Sequence, residues 1–260
     1  MNVLDEIVAA KRLEIEAAKA ARPLETLKKE ALSFTLSRRP FRALFDAPQG
    51  ILIAEIKPKS PSAGQLIPHS PLEIADMYAK SAADAISVLT DKPYFGGSLE
   101  LLQDVRARVP QAIFRKDFIV DEYQVYETLL SGADAFLLIA NVLSVEELGK
   151  LMALGQALGL DYLVEVHDEA DVAKALETGA EIIGINNRNL KTLEVDIETT
   201  ERLSHKLPSG TIFVSESGIE TTADAERVRT WGACGILAGT SILRSPDPLK
   251  KIQELKNTLN

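Results

Sequence analysis

The sequence predicts a single (β/α)8 TIM barrel of the α/β class, preceded by an N-terminal helical extension, and three observations carry that expectation. A short pattern of small residue, alanine and acid (or cysteine) recurs at Ala82-Ala-Asp84, Gly132-Ala-Asp134, Gly179-Ala-Glu181 and Gly232-Ala-Cys234, with successive copies 50, 47 and 53 positions apart. Each copy leads into an apolar run, and four more apolar runs lie roughly midway between them, which makes eight strands. Amphipathic segments of helical period separate the runs. Strands that are apolar throughout and alternate with helices form parallel sheets covered on their faces. Eight such units in about 210 residues fit a closed barrel. An open doubly wound sheet is the competing arrangement, but no glycine-rich dinucleotide turn follows the first strand.

The elements follow in order along the chain. Val3–Ala21 has helical character, and Pro23–Leu32 forms a second, shorter helical stretch. Arg38-Arg-Pro-Phe41 reads as a linker, so residues 1–46 form a helical extension packed on a catalytic barrel of residues 47–260. One helix more than a barrel needs suggests a lid or platform over one face. Strand one is Ile51–Ile56, and the helix over Pro71–Ser81 starts after Ser70, an N-cap followed by proline at the first helical position. Ala85–Leu89 is the second strand, and the helix over Ser98–Arg108 starts on a serine cap. The third and fourth strands are Ala112–Phe114 and Ala135–Ile139, and Ser144-Val-Glu-Glu147 reads as a capping box. Tyr162–Val166, Ile182–Ile185, Ile212–Ser215 and Gly235–Ala238 complete the strands. Asp168–Glu177, Asp196–Lys206, Thr222–Thr230 and Asp247–Leu259 complete the helices.

Composition narrows the class of function. The 260 residues carry a formal net charge of -9, with the acidic excess spread along the chain. That argues against nucleic acid or an anionic membrane as the principal partner. A small anionic ligand remains compatible, because a site can oppose the global sign. The one cysteine, Cys234, excludes a disulfide framework and reads as a buried small hydrophobe. His69 and His167 fall in no metal-ligand spacing, so no metal is expected. No serine has a His/Asp pair in sequence context, which leaves acyl transfer weakly supported. The N-terminal residues do not resemble a signal peptide, and no run approaches a membrane span. A cytoplasmic enzyme is expected, and the absence of an obvious exposed apolar stripe favours a monomer.

The strands end in residues that are costly to bury without a partner or a task. Glu55 and Lys57 close the first, Lys116 the third, Glu165 the fifth, and Asn186 and Arg188 the sixth. Side chains two apart on a strand share a face, so Glu55 pairs in direction with Lys57, Lys116 with Phe114, Glu165 with Leu163, and Asn186 with Arg188 if extension continues. If these parities face inward, charged groups gather at the C-terminal ends of the strands, where barrel active sites lie. Any one such pair is more often structural than catalytic. Agreement of four strand ends is what favours a site.

After the seventh and eighth strands come Ser215-Glu-Ser-Gly-Ile219 and Ala238-Gly-Thr-Ser241, the two loops that commonly bind phosphate in barrels. Lys59, Ser60 and Ser62, in the loop after strand one, could close the same pocket. That loop, Lys57–Pro68, is also a candidate lid. Phe95 and Phe118 follow strands two and three. They either pack beneath a loop or sandwich an aromatic ring.

Six segments then add a resemblance. Ala54-Glu-Ile-Lys-Pro-Lys-Ser-Pro-Ser62, Ser87-Val-Leu-Thr-Asp91, Phe114-Arg-Lys-Asp-Phe-Ile119, Leu163-Val-Glu-Val166, Gly184-Ile-Asn-Asn-Arg-Asn-Leu190 and Ser215-Glu-Ser-Gly-Ile219 resemble the indole-3-glycerol phosphate synthase family. The similarity extends over essentially the whole chain. It implies ring closure of 1-(2-carboxyphenylamino)-1-deoxyribulose 5-phosphate to indole-3-glycerol phosphate, with loss of carbon dioxide and water, in tryptophan biosynthesis and without a cofactor. The resemblance implies Lys116 as general acid and Glu165 as general base. Lys57 or Lys116 would protonate the leaving hydroxyl, while Glu55 and Asn186 orient the lysines and substrate hydroxyls. Arg188 and Lys57 would hold the carboxylate and Phe95 and Phe118 flank the ring. Ser217, Gly218, Gly239 and Thr240, with Lys59 and Ser60, would hold the phosphate. An acid such as Lys116 is expected to have its pKa lowered by Lys57 and Arg188 beside it. The alternatives are another phosphate-sugar barrel, such as phosphoribosylanthranilate isomerase, and a phosphate-binding barrel without activity.

Overall fold

The computed structural model describes residues 3–59, 69–190 and 192–260. The Lys57–Pro68 loop beyond Lys59, with Ser60 and Ser62, lies outside the described residues, as does residue 191. Two helices come first, α1 (Val3–Ala21) and α2 (Leu24–Ser33), followed by a short 3₁₀ turn at Arg42–Asp46. Then strands and helices alternate: β1 (Ile51–Ile56), α3 (Pro71–Tyr78), β2 (Ala85–Leu89), α4 (Lys92–Phe95), α5 (Leu99–Arg108), β3 (Ala112–Lys116), α6 (Glu122–Leu130) and β4 (Ala135–Ile139). The second half holds α7 (Val145–Ala157), β5 (Asp161–Val166), α8 (Glu169–Glu177), β6 (Ile182–Asn186), α9 (Glu198–Ser204), β7 (Ile212–Glu216), α10 (Thr222–Thr230), β8 (Gly235–Ala238), α11 (Thr240–Leu243) and α12 (Pro248–Leu259). The strands pair in parallel in chain order, and β8 returns to β1 to close the barrel.

Two apolar layers sit on opposite sides of the strands. Ile51, Ile53, Ala85, Phe114, Leu137, Leu163, Val214 and Leu237 fill the interior, whereas Leu52, Ala54, Ile86, Ile113, Phe136, Val164 and Ile236 face the helices. That alternation is the period-two parity of extended backbone. Ser70, Ser144 and Thr221 each accept an N–H three residues on, and an acid at that third position returns to the cap's own N–H, so three helices start on capping boxes. Helix α6 had no marked counterpart in the sequence. It starts at Asp121, whose carboxylate accepts the N–H of Tyr123.

At two of the four repeat positions the acid ties strands together. Asp84, just before β2, accepts the N–H of Leu52 in β1 (2.8 Å) and the ammonium of Lys256 (2.7 Å). Asp134, just before β4, accepts the N–H of Ile113 in β3 (2.8 Å) and that of Arg39 (2.9 Å), and pairs with the Arg106 guanidinium. Each acid thus ties the first residues of the preceding strand. The counterpart Cys234 is half-buried rather than buried.

Arg38–Phe41 is no free linker. The Arg38 guanidinium donates to the carbonyls of Gly159 and Leu158, both at 2.6 Å. Phe41 is fully buried among the interior residues and stacks on Phe114, with centroids 5.4 Å apart and planes 14° from parallel. The segment closes the N-terminal end of the barrel. Leu4, Ile7, Lys11 and Ile15 form the buried stripe of α1, with a lysine in an otherwise apolar helical row.

Candidate active site

A cavity of about 300 Å³ opens at the C-terminal ends of the strands. Twelve residues expected at the site line it: Glu55, Lys57, Phe95, Lys116, Phe118, Glu165, Asn186, Arg188, Ser217, Gly218, Gly239 and Thr240. Ser60 lies outside the described residues. Lys59 is described but is not among the lining residues; its ammonium donates to the Pro93 carbonyl (2.9 Å), and its backbone N–H donates to Phe95. The reason is local: α4 brings two carbonyls against that end of β1.

Inward parity places the charged groups. Glu55 follows Ile51 and Ile53 on the interior face of β1, and its Oε1 lies 2.7 Å from Lys57 Nζ. Lys116 follows Ala112 and Phe114, and its ammonium donates to Glu165 Oε2 and Glu216 Oε2, both at 2.8 Å. Glu216 is a site residue that the sequence pattern alone does not single out. It lies two residues after the inward Val214 and is almost fully buried, so the same parity argument points to it. Gly184 makes the space: a Cβ there would lie 2.2 Å from Glu216 Oε1 and 2.4 Å from a Leu163 methyl.

Those carboxylates overturn the expected electrostatics of Lys116. Burial disfavours its charge, but Glu165, Glu216 and Glu55 outweigh burial and push its pKa above the ordinary lysine value. Lys57 and Arg188 share the pocket, yet the nearest partners of the Lys116 ammonium are anions. Burial opposes ionisation of Glu165, while Lys116 and His167 more than compensate and hold it below the usual carboxylate range. Glu216 responds in the opposite direction. Burial, with Glu165 adding to it and Lys116 only partly offsetting, raises it to about 7. A lysine thus bridges one ionised carboxylate and one poised to exchange a proton near neutral pH.

The end of β3 is anchored from outside the barrel. Outward-facing Arg115 donates to Thr90, Thr128, the Gln124 carbonyl and Asp117 at 2.9–3.1 Å. Lys11 of α1 reaches Asp91 at 2.9 Å and Asp117 at 3.1 Å. Those two acids also accept the N–H groups of Tyr94 and Phe118 (2.9 and 2.8 Å), in the turns that carry the aromatic residues. The Phe95 and Phe118 rings form a direct tilted pair, with centroids 6.3 Å apart and planes at 34°. That contact leaves no slot for a third ring between them, so the pair forms one apolar wall.

On the opposite side, Asn186 Oδ1 accepts from the Arg188 N–H (3.0 Å) and the Ser217 hydroxyl (2.8 Å). Arg188 departs from simple extension: it forms an isolated bridge with Val195, and its guanidinium donates to the Leu193 carbonyl at 2.9 Å. Ser217 and Gly218 have φ of 65° and 78°. Two consecutive left-handed residues turn the backbone sharply into the pocket, and a non-glycine residue in that region carries strain. Gly239 lies against Glu55, whose Oε1 and Cβ would stand 2.8 and 2.9 Å from an added Cβ. Among the described residues, no group of three His, Cys, Asp or Glu is arranged to hold a metal, and no helix is long and apolar enough to cross a membrane.

A closed parallel barrel whose strand ends deliver an acid–lysine–acid bridge into a cleft defines an enzyme of the (β/α)8-barrel class. The chain belongs to the indole-3-glycerol phosphate synthase family, whose model matches residues 4–255. It is 43% identical over 258 residues to the indole-3-glycerol phosphate synthase of Albidiferax ferrireducens, covering 98% of both chains. It is 44% identical to that of Roseiflexus sp. over 264 residues, again covering 98% of each. Among solved structures, 3-hexulose-6-phosphate synthase from Salmonella typhimurium matches with a TM-score of 0.65 at 14% identity, over 80% of this chain and 98% of that one. Orotidine 5'-phosphate decarboxylase from Pyrococcus horikoshii matches with 0.61 at 13% identity, over 80% and 99%. At those identities the structural likeness concerns the fold alone.

Proposed function

We propose that the chain closes the indole ring of 1-(2-carboxyphenylamino)-1-deoxyribulose 5-phosphate, releasing carbon dioxide and water to give indole-3-glycerol phosphate in tryptophan biosynthesis. The observation that carries the reading is Lys116, held 2.8 Å from both Glu165 and Glu216 at the head of a cleft. The ring carbon attacks the ketone carbon as Lys116 delivers a proton to the ketone oxygen. Carbon dioxide then leaves, and its bonding electrons restore the aromaticity lost in the attack. Glu165 removes the next proton as the hydroxyl departs as water, protonated by Lys57 or Lys116. Glu216, close to neutral in its titration, is placed to take up or return the proton that Lys116 exchanges.

Binding follows the shape of the cleft. Arg188 and Lys57 supply the cations for the substrate carboxylate, a planar anion suited to a guanidinium fork. Phe95 and Phe118 form the wall against which the ring lies. Glu55 and Asn186 orient Lys57 and the substrate hydroxyls. Ser217, Gly218, Gly239 and Thr240 hold the phosphate, with Ser60 from the loop after β1, and Lys59 joins if it exchanges the Pro93 carbonyl for the phosphate. We place the enzyme in the cytoplasm as a monomer without a cofactor, acting on a phosphorylated small molecule rather than on nucleic acid or membrane. Sedimentation at micromolar concentration tests the monomer, and a dimer overturns it.

A turnover assay in chelator-containing buffer, followed by indole absorbance with Lys116→Ala beside it, tests the activity. Indole formation that collapses in the variant supports both reaction and acid. Absence of turnover together with tight, phosphate-dependent binding would favour a binding module instead.

A further inference from the structure

Lys116 touches Glu165 and Glu216 at the same distance, so it does not by itself decide which of the two carries a proton. The asymmetry comes from His167, two residues beyond Glu165 and outside the cavity lining. Its Nε2 lies 3.1 Å from Glu165 Oε1, and its Nδ1 lies 3.5 Å from Asp171 Oδ2 on α8. Neither contact has the alignment of a good hydrogen bond, yet both ring nitrogens face carboxylate oxygens. A neutral imidazole would turn a lone pair toward one of those anions; only the imidazolium presents N–H to both. Asp171 is fixed in that place, since its Oδ2 also accepts the His167 backbone N–H at 3.0 Å. Among the described residues, Glu216 has no such second cation. Its Oε1 is buried without a hydrogen-bond partner, against Gly184.

We propose that His167 is a positioning residue whose positive charge decides the protonation of the carboxylate pair, holding Glu165 ionised and leaving the exchangeable proton to Glu216. The charged groups that bear on it are Glu165 on β5 and Asp171 on α8. Behind Glu165 stand Lys116 on β3, Glu216 on β7 and Glu55 on β1. Burial disfavours the charged ring, but Asp171 and Glu165 outweigh it and raise its pKa to about 9. The cation is therefore present throughout the neutral range. If its charge is removed, Glu165 loses one of its two cations, its affinity for a proton rises, and the difference between the two carboxyls shrinks. The kinetic consequence, though not the placement of the proton, rests on Glu165 being the base.

The first measurement needs no variant. In protein labelled with ¹⁵N at its 3 histidines, His167 is expected to keep both ring nitrogens protonated at pH 7 and to lose the charge near pH 9. A neutral His167 at pH 7 overturns the proposal. The second follows the glutamate carboxyl ¹³C signals, assigned with Glu165→Gln and Glu216→Gln. In His167→Gln the titration of Glu165 moves up toward that of Glu216, whereas an unchanged Glu165 curve overturns the proposal. In turnover, the acidic limb of the kcat profile moves up by about one pH unit in His167→Gln, the usual worth of a neighbouring charge, and moves back in His167→Lys. A merely structural role would lower kcat at every pH without moving the limb. Carboxyl signals that shift while the limb stays would leave His167's role intact and remove Glu165 as the base.

Discussion

At the N-terminal end of the barrel, Asp84 and Asp134 each accept backbone N–H groups and pair with a cation, and Phe41 fills the space between the strands. At the C-terminal end, Lys116 is shared by two carboxylates, Glu216 Oε1 has no partner, and a cavity stands open above them. Both ends bury charge. At the closed end the acids sit at strand starts, where N–H groups are available, so Asp84 and Asp134 each satisfy a backbone N–H and a cation together. At the open end the side chains converge from different strands onto one ammonium, so compensation is partial and one carboxyl is pushed into the physiological range. The same barrel separates stability from reactivity along its axis.

The comparison makes its largest prediction at the open end. Lys116→Ala should lower kcat roughly 10²–10⁴-fold, the usual worth of a positioned proton transfer. A near-wild-type rate would remove Lys116 as the acid. Phe41→Ala should do the reverse. It empties a fully buried site and should cost about 3–5 kcal/mol of stability, as Phe→Ala changes in cores do. Its kcat and KM, measured well below the lowered Tm, should be unchanged. Denaturant unfolding and steady-state kinetics on the two variants together test the separation, and a Phe41 variant with normal stability but impaired turnover would break it.

Much of this arrangement was legible in the sequence because it is local. Eight buried runs, their spacing and most helix starts are written within a few residues, and period-two parity carried Glu55, Lys116, Glu165 and Asn186 into one pocket. Glu216 escapes because the apolar run of strand seven ends at Ser215 and the next four residues read as a polar turn, while β7 continues to Glu216. Phe41 escaped for a different reason. Its partner Phe114 is far along the chain, and nothing in Arg38–Phe41 reveals that the barrel closes on it. The lowered pKa expected of Lys116 failed with Glu216, since a second carboxylate at 2.8 Å outweighs cations that do not touch the ammonium. The aromatic slot failed because a pair distance is a tertiary quantity that residue type does not encode.

A smaller effect concerns pH. The His167 pKa is raised from 6.5 to about 9 in the folded protein, with burial opposing and the Asp171 and Glu165 carboxylates prevailing. Folding therefore takes up a proton between those values. The stability this contributes is fully present below pH 6.5 and is lost as pH rises through about 9. His167→Gln lacks that contribution, so its Tm should fall less steeply than that of the wild type across the window. Parallel Tm curves would mean that the ring is not charged in the folded state.

The smallest expected effect tests the strained turn that reaches into the open end. Ser217 has φ of 65°, a region that costs a non-glycine residue roughly 1–3 kcal/mol. Ser217→Gly relieves that strain, but it also removes the hydroxyl donated to Asn186, worth about 1 kcal/mol, and adds freedom to the unfolded chain worth roughly 0.4–1 kcal/mol. The terms nearly cancel, so Tm should move little in either direction. Activity should not cancel in the same way. Asn186 loses a partner and the turn loses a hydroxyl from the cleft, so KM should rise several-fold while stability stays level. The adjacent Gly218→Ala lacks any such balance, because φ of 78° and a Val195 methyl 2.7 Å from the new Cβ both oppose it. If Ser217→Gly lowered Tm as far as Gly218→Ala, the left-handed serine would be held by its hydrogen bond rather than strained against it, and the turn would belong with the structural end of the barrel.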